Sequence, residues 1–255
     1  MNGMAYPESL QGKTVLIIGG AGAIGGAAAR MFAAGGARVV ITYRGPAEAA
    51  AAESVLAGLE GDGHAAREAD VVDTNSLIAL RERMVADRSS LDILVNAAGF
   101  TKPVPHADLD ALDDELIDRM FRVNWRGQFA VIRTFAPLLK ASGNGLIVSL
   151  SSIAGTNGIG SSIAYCAVKA GIDVMTKSLA RALAPQVRVL AVAPGVVDTG
   201  FVPGRGADFN EKTASTTPLK RVGKADDIAA AILSCATHLT FSTGMTIFVD
   251  GGRSL

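Results

Sequence analysis

The chain has 255 residues, 49% hydrophobic and 19% charged, and its 24 basic side chains balance 24 acidic ones. That balance gives no electrostatic ground for a nucleic-acid or anionic-membrane partner, and no apolar run approaches the ~18 residues of a membrane span. Cys166 and Cys235 form no CxxC pair, and His64, His106 and His238 are scattered, so neither a disulfide framework nor a bound metal is expected.

In chain order, MNGMAYPESLQGK (1–13) lacks the basic and then apolar pattern of a signal peptide, which suits a cytoplasmic protein. A β-branched run at 13–19 (KTVLIIG) predicts a strand, and an alanine-rich helix follows over 23–34. The alternation continues through strand 37–43, helix 46–60, a weaker strand 64–70, helix 74–88, strand 92–98 and a long helix over 113–141. Strand 145–151, helix 162–184, strand 187–193, helix 225–238 and strand 245–250 complete it. These strands are almost continuously apolar, as strands covered on both faces by helices should be. The pattern predicts an α/β fold: a doubly wound, mainly parallel seven-stranded sheet with helices on both faces, in a single domain spanning 1–255. Only the stretch 199–224 (TGFVPGRGADFNEKTASTTPLKRVGK) is too long for an ordinary connection, and its length predicts a substrate loop.

The first strand runs into GGAGAIGGAAAR (19–30), where Gly20, Gly22 and Gly25 spell G-x-G-x-x-G between a strand and a helix. Glycines there permit a tight turn and let a diphosphate approach backbone N–H groups at the positive end of the helix. The plainer alternative is close helix–strand packing with no ligand. The strand-to-helix context favours a Rossmann-like dinucleotide site built on Gly19, Ala21, Gly22, Ala23, Ile24 and Gly25. An NAD site usually ends its second strand with an acid that accepts from the ribose 2′-hydroxyl. Here the strand ends ITYRGP (41–46), with Tyr43 in the acid's place and Arg44 beside it. A guanidinium grips a 2′-phosphate that a carboxylate would repel, so with no competing acid in the segment NADP(H) is expected over NAD(H). Otherwise Arg44 is a solvated surface residue.

The stretch SSIAYCAVK (161–169) places Tyr165 and Lys169 one helical turn apart. Tyrosine, with an ordinary pKa of about 10, is a poor base at neutral pH, and an ammonium one turn away lowers that pKa by stabilising the phenolate. A phenol so tuned gives a proton to a carbonyl oxygen or takes one from an alcohol. The same spacing also arises on solvated helix faces, but Ala164, Cys166, Ala167, Val168 and Ala170 give this helix a buried composition.

Over nearly its whole length the chain resembles the short-chain dehydrogenase/reductase family. The likeness rests on the glycine loop (19–25), ADVVD (69–73), VNAAG (95–99) and VNWRG (123–127), followed by LSSIAG (150–155), YCAVK (165–169), APGVVDT (193–199) and VDGG (249–252). Ser152 precedes Tyr165 by the family's thirteen residues, which selects it over Ser149 and Ser151. By that resemblance Tyr165 is the general acid/base, and Lys169 binds the nicotinamide ribose and lowers the Tyr165 pKa. Ser152 hydrogen-bonds the substrate oxygen, and Asn124 holds a water that links Lys169 to solvent. Asp70 and Val71 would meet the adenine, and Asn96, Ala97, Ala98 and Gly99 would run along the cofactor. Pro194, Gly195, Val197 and Thr199 would line the nicotinamide. The resemblance also implies a homotetramer or homodimer. Three positions depart from the family pattern: Ile18 for the usual Thr, Ala23 for a glycine, and Ala97 for an asparagine. None is among the four catalytic positions, so activity is expected.

Cys166 adjoins Tyr165, but one helix position turns a side chain about 100° round the axis, away from the site. Trp125 and Phe121 read as core or subunit-interface packing rather than an aromatic substrate wall, and DLDALDDELID (108–118) as the solvated start of the long helix. Many similar reductases act on 3-oxoacyl groups carried by acyl carrier protein, an acidic partner met by basic residues at the ends of two long helices. Here those ends carry only Lys140 and Arg188, although Lys220, Arg221 and Lys224 could add charge from elsewhere. A small or coenzyme-linked ketone or secondary alcohol is therefore expected, with 3-oxoacyl-acyl-carrier-protein reductase the alternative. Phe201, Val202 and Phe209 suggest an apolar pocket wall. From a different class, a dinucleotide-binding redox sensor would catalyse nothing; Tyr165 and Lys169, both present, speak against it.

Overall fold

The computed structural model describes residues 9–87, 90–204 and 206–255. Residues 1–8 of the first stretch, Arg88 at the end of the expected helix 74–88, and Arg205 within the 199–224 loop lie outside the described residues.

Seven strands form one sheet: β1 (Thr14–Ile18), β2 (Arg38–Tyr43), β3 (Ala65–Glu68), β4 (Ile93–Asn96), β5 (Gly145–Leu150), β6 (Val187–Pro194) and β7 (Thr246–Val249). Their order is β3-β2-β1-β4-β5-β6-β7 and every pairing is parallel, so the sheet is wholly and not just mainly parallel. Alternate residues of β1 serve opposite faces: Val15 and Ile17 join one core, Leu16 and Ile18 the other. On the first face α1 (Ala23–Ala34) packs against α9 (Ala225–Thr237), and Ala27, Ala28 and Ala29 let them approach closely. On the second lie α3 (Thr74–Ala86), α5 (Gly127–Ala141) and the end of α7 (Ile163–Leu183). The strand order reverses between β1 and β4, and that switch point opens a crevice at the carboxyl ends of the strands.

Three expectations need correction. The helix expected over 46–60 is α2 (Pro46–Ala57); Gly58 caps it, and Gly61 and Gly63 take the left-handed backbone conformations that follow. The helix expected over 113–141 is broken into α4 (Asp114–Phe121), one wide π-helical turn over Arg122–Arg126, and α5. The break has a cause: Asn124 Nδ2 donates to the Met120 carbonyl at 3.0 Å, the oxygen that a regular ladder would pair with residue 124's own N–H. Finally, the 199–224 loop contains a helix, α8 (Phe209–Thr216), and its base is pinned. Asp198 N–H donates to the Gly223 carbonyl and Gly223 N–H to that of Val196, both at 2.9 Å.

Candidate active site

The turn from β1 into α1 has no room for a side chain at Gly19, Gly20 or Gly25. Gly19 has φ of +76°, and a Cβ there would lie 2.7 Å from the Ala98 nitrogen; one at Gly20 would press on Ile41, and one at Gly25 on the Gly19 carbonyl. Backbone therefore meets backbone at the mouth of the crevice, leaving the first turn of α1 bare. This is the cradle a diphosphate requires, and it fits a dinucleotide. Ala23, where the family has glycine, is exposed at the mouth and its methyl obstructs nothing in the turn.

Across the switch point, β4 ends at Asn96 and the chain continues through Ala97–Gly99. Asn124, wholly buried, braces that segment: its Oδ1 accepts from Phe100 N–H and its Nδ2 donates to Phe100 O, each at 2.9 Å. With its other donor on Met120, the Asn124 amide has no N–H left for a water. This side chain thus braces the loop.

Beyond β5, Ser151 is buried and donates to the Lys169 carbonyl at 3.2 Å, while Ser152 is half-buried and faces the crevice. Ser162 caps α7 by accepting from Tyr165 N–H at 3.1 Å, which fixes where the helix starts and how Tyr165 is presented. One turn on, Lys169 is buried; its Nζ donates to the Leu150 carbonyl at 2.6 Å and lies 5.5 Å from the centre of the Tyr165 ring. Burial pushes the Lys169 pKa down to about 8, while Asp173, a turn further, pulls it back up. Of the residues around the pair, Ala164 and Val168 are buried, but Ala167 is exposed, so only one face of this helix is buried.

These parts share one cavity of about 1000 Å³. Gly19, Gly22, Ala23, Ile24 and Gly25 line one end and Ala97, Ala98 and Gly99 the side. Ser152, Tyr165 and Lys169 line it too, as do Pro194, Gly195, Val197 and Thr199. Phe201, Val202 and Phe209 line it as expected.

Seven expected residues lie off the cavity wall: Ala21, Tyr43, Arg44, Asp70, Val71, Asn96 and Asn124. Tyr43 packs on the core beside α1, and Val71 sits against Gly127. Asp70 accepts from Val72 N–H at 2.9 Å. Asn96 is fully buried, and its amide has no hydrogen-bond partner among the described residues. Arg44 does meet an acid, one that lies just beyond the 41–46 segment. Its N–H donates to Glu48 Oε2 at 2.7 Å and its guanidinium lies 3.5 Å from Glu48 Oε1, because Glu48 sits one turn away at the start of α2, where a carboxylate is favoured.

Several residues to be discounted do stay off the site. Neither Cys166, Trp125 nor Phe121 lines the cavity; burial raises the Cys166 pKa, and Trp125 stacks on Phe129 at 6.0 Å. Sequence reading missed Pro103, Ile153, Ile159 and Arg253, which all line the cavity. For Arg253 the signal was its place directly after VDGG (249–252).

The family model for Enoyl-(Acyl carrier protein) reductase matches residues 19–254, almost the whole chain. The chain belongs to the short-chain dehydrogenase/reductase family. Among members of this family, the cis-4-hydroxycyclohexanecarboxylate dehydrogenase of Sinomonas cyclohexanicum is 36% identical, over 96% of this chain and 98% of its own. The 3-oxoacyl-(acyl-carrier-protein) reductase of Thermotoga maritima is 34% identical over 95% of this chain and 98% of its own. The crystal structure of 3-oxoacyl-(acyl-carrier protein) reductase from Brucella melitensis superposes with a TM-score of 0.85 at 31% identity, covering 97% of this chain and 93% of that one. This short-chain dehydrogenase/reductase is therefore an oxidoreductase that interconverts secondary alcohols and ketones, using NAD(P)(H) on a small-molecule substrate. Among the described residues, no helix is long and apolar enough to cross a membrane.

Proposed function

We propose that the enzyme uses NADP(H) to interconvert a secondary alcohol and its ketone, on a small or coenzyme-linked substrate. The observation that carries this reading is the convergence of Ser152, Tyr165 and Lys169 on the cavity that the glycine turn also lines. The balanced reaction is alcohol plus NADP⁺ giving ketone, NADPH and a proton. When bound, the nicotinamide supplies or accepts the hydride. The Tyr165 hydroxyl gives the substrate oxygen its proton or takes it away, and the Ser152 hydroxyl donates to that oxygen as charge develops on it. Lys169 keeps an ammonium beside the phenol and holds the ribose. Gly19, Ala21, Gly22, Ala23, Ile24 and Gly25 hold the diphosphate; Asp70 and Val71 meet the adenine; Asn96 to Gly99 run along the coenzyme; Pro194, Gly195, Val197 and Thr199 take the nicotinamide. Asn124 keeps the 99–100 segment in place.

Tyr43 and Arg44 carry the choice of NADP(H). To grip a 2′-phosphate Arg44 must leave Glu48, and an exposed pair of this kind is worth only ~0.2–1 kcal/mol. A small substrate is supported by the basic residues counted for carrier protein. The Arg188 guanidinium donates to the carbonyls of Cys235, Leu239 and Ser242, Arg221 pairs with Asp227, and Lys220 donates to Ser215 O. The names of the relatives keep 3-oxoacyl-acyl-carrier-protein reductase as a second reading. A cytoplasmic homotetramer or homodimer completes the proposal, supported by the exposed rings of Phe121 and Phe248.

The test follows nicotinamide absorbance with acetoacetyl-coenzyme A and with cis-4-hydroxycyclohexanecarboxylate, each with both coenzymes. Turnover faster with the phosphorylated coenzyme supports the reading, and faster turnover with the other sinks the role of Arg44. Binding of coenzyme with no turnover of any alcohol or ketone would favour a sensor.

A further inference from the structure

Arg253 lies directly after VDGG (249–252), and the fold carries it beneath α8 to the wall of the substrate cavity. It is half-buried there, and one of its nitrogens is held in place. Nη1 donates to Thr216 Oγ1 at 3.0 Å, to Thr217 Oγ1 at 3.3 Å and, more weakly, to Thr213 O at 3.4 Å. All three acceptors belong to α8 or the residue after it. Nε and Nη2 make no hydrogen bond among the described residues, and Arg253 has no carboxylate partner among them.

The rest of the wall makes that cation unusual. Among the described lining residues there is no Asp or Glu, and the only other cation is Lys169, whose Nζ already donates to Leu150 O. The same cavity is lined by the apolar side chains of Val202, Phe209 and Ile159. A guanidinium anchored through one nitrogen, with two donor groups uncommitted, offers a planar carboxylate a preformed partner. An apolar surround strengthens such a pair by limiting competition from water.

We propose that Arg253 is the anion-recognition residue of the substrate pocket and that the natural substrate is a hydroxy- or oxo-carboxylate, its carboxylate on Arg253 and its alcohol or ketone carbon at Tyr165. This rests on the alcohol–ketone reading above and adds the substrate class to it. Arg253 acts on binding of the remote group and leaves hydride and proton transfer to the residues already named. The plain alternative is a latch, in which Arg253 only ties the chain's last residues to α8.

The test compares paired substrates on the full chain: acetoacetate, levulinate and 4-oxocyclohexanecarboxylate, each beside its uncharged methyl ester, with acetoacetyl-coenzyme A as a further arm. Hydrogen bonds to a charged group are worth ~1.5–3 kcal/mol, so Arg253→Gln should lower kcat/KM for the preferred carboxylate by ~10- to 100-fold. The ester should stay within about twofold of the natural chain, and the loss should fall on KM. Arg253→Lys, which keeps the charge, should recover part of the loss and covers the case in which the Gln variant fails to fold. Equal losses on acid and ester would assign a latch and overturn the proposal while leaving the alcohol–ketone reading intact. A loss confined to acetoacetyl-coenzyme A would assign Arg253 to phosphate and overturn it too. If no member of the panel turns over, the alcohol–ketone reading has failed, and the thermal upshift given by each carboxylate with coenzyme present decides for Arg253. An upshift lost in Arg253→Gln upholds carboxylate binding, and its absence from the natural chain refutes it.

Discussion

The two ends of the cavity are built on opposite principles. At the coenzyme end, a Cβ on Gly19 or Gly20 would strike the Ala98 backbone or the Ile41 side chain, so main chain packs directly on its neighbours. At the substrate end, a Cβ on Gly200 or Gly204 would have nothing within 4 Å. One end recognises its ligand with backbone that tolerates no change. The other uses exchangeable side chains, among them Phe201, Phe209 and Arg253. A fold that must keep one coenzyme class while admitting many substrates needs that division.

Tyr165 stands on the boundary, and removing its hydroxyl breaks the comparison most sharply. Tyr165→Phe should lower kcat by ~10²- to 10⁴-fold, the range for loss of a positioned acid/base. Coenzyme affinity, measured by fluorescence titration, should stay within about threefold, a change of about 0.7 kcal/mol. Loss of both together would mean that the ends are not separable.

A methyl group added at each end comes next. In Gly25→Ala the new carbon presses on the Gly19 carbonyl and lies 2.9 Å from the Gly20 Cα, both backbone atoms that cannot swing aside. Overpacking of this kind costs ~1–3 kcal/mol, more than the ~1 kcal/mol of helix propensity that alanine gains. Gly200→Ala meets open space and should change stability by less than ~0.5 kcal/mol. Urea unfolding of the two variants checks the contrast, and equal losses would dissolve it.

Lys169 gives an effect with a definite sign. In the folded chain it loses its proton near pH 8, and in the unfolded chain near its ordinary 10.5. Between those values the unfolded chain binds more protons, so this residue makes stability rise with pH, by at most ~1.4 kcal/mol per unit. Below about pH 8 the cost of burying the ammonium is fully present. Lys169→Met should lack the rise, so the stability gap between the two chains should shift in favour of the natural one from about pH 8 to 10. A gap that does not move would show that the ammonium is not desolvated as its burial implies.

The same division explains what could be read from sequence. Strand runs such as TVLII are buried at every position and apolar from Val15 on because both faces are covered, and Tyr165 and Lys169 are one turn apart on one helix; both patterns are local. Arg253 and Thr216 are 37 residues apart and meet only after β7 and α9 have packed, so the charge in the pocket was invisible. The π-helical turn was hidden for a similar reason, since the Asn124 amide that takes the Met120 carbonyl is held by Phe100, which lies 24 residues away on another segment. Glu48 is different. Four residues after Arg44 and at the start of a helix, it was in plain view as a potential partner, and the expectation of no competing acid looked only at the strand end.

That oversight yields the finest prediction. Glu48 is 41% exposed and Arg44 63% exposed, so their pairing is screened and weak, and Arg44 exchanges between the carboxylate and solvent. A 2′-phosphate brings up to two charges where Glu48 brings one, and it should win Arg44 at a cost below ~1 kcal/mol. Glu48→Gln removes that cost and also a negative charge near the phosphate. Both changes should raise the ratio of kcat/KM for NADPH over NADH, by no more than about fivefold, since ~1 kcal/mol corresponds to that factor. Arg44→Ala should lower the same ratio. If Glu48→Gln leaves the ratio unchanged while Arg44→Ala lowers it, the ion pair is irrelevant and Arg44 alone selects the coenzyme. If neither variant moves it, selection lies elsewhere at the coenzyme end, in the backbone that the glycine turn holds fixed.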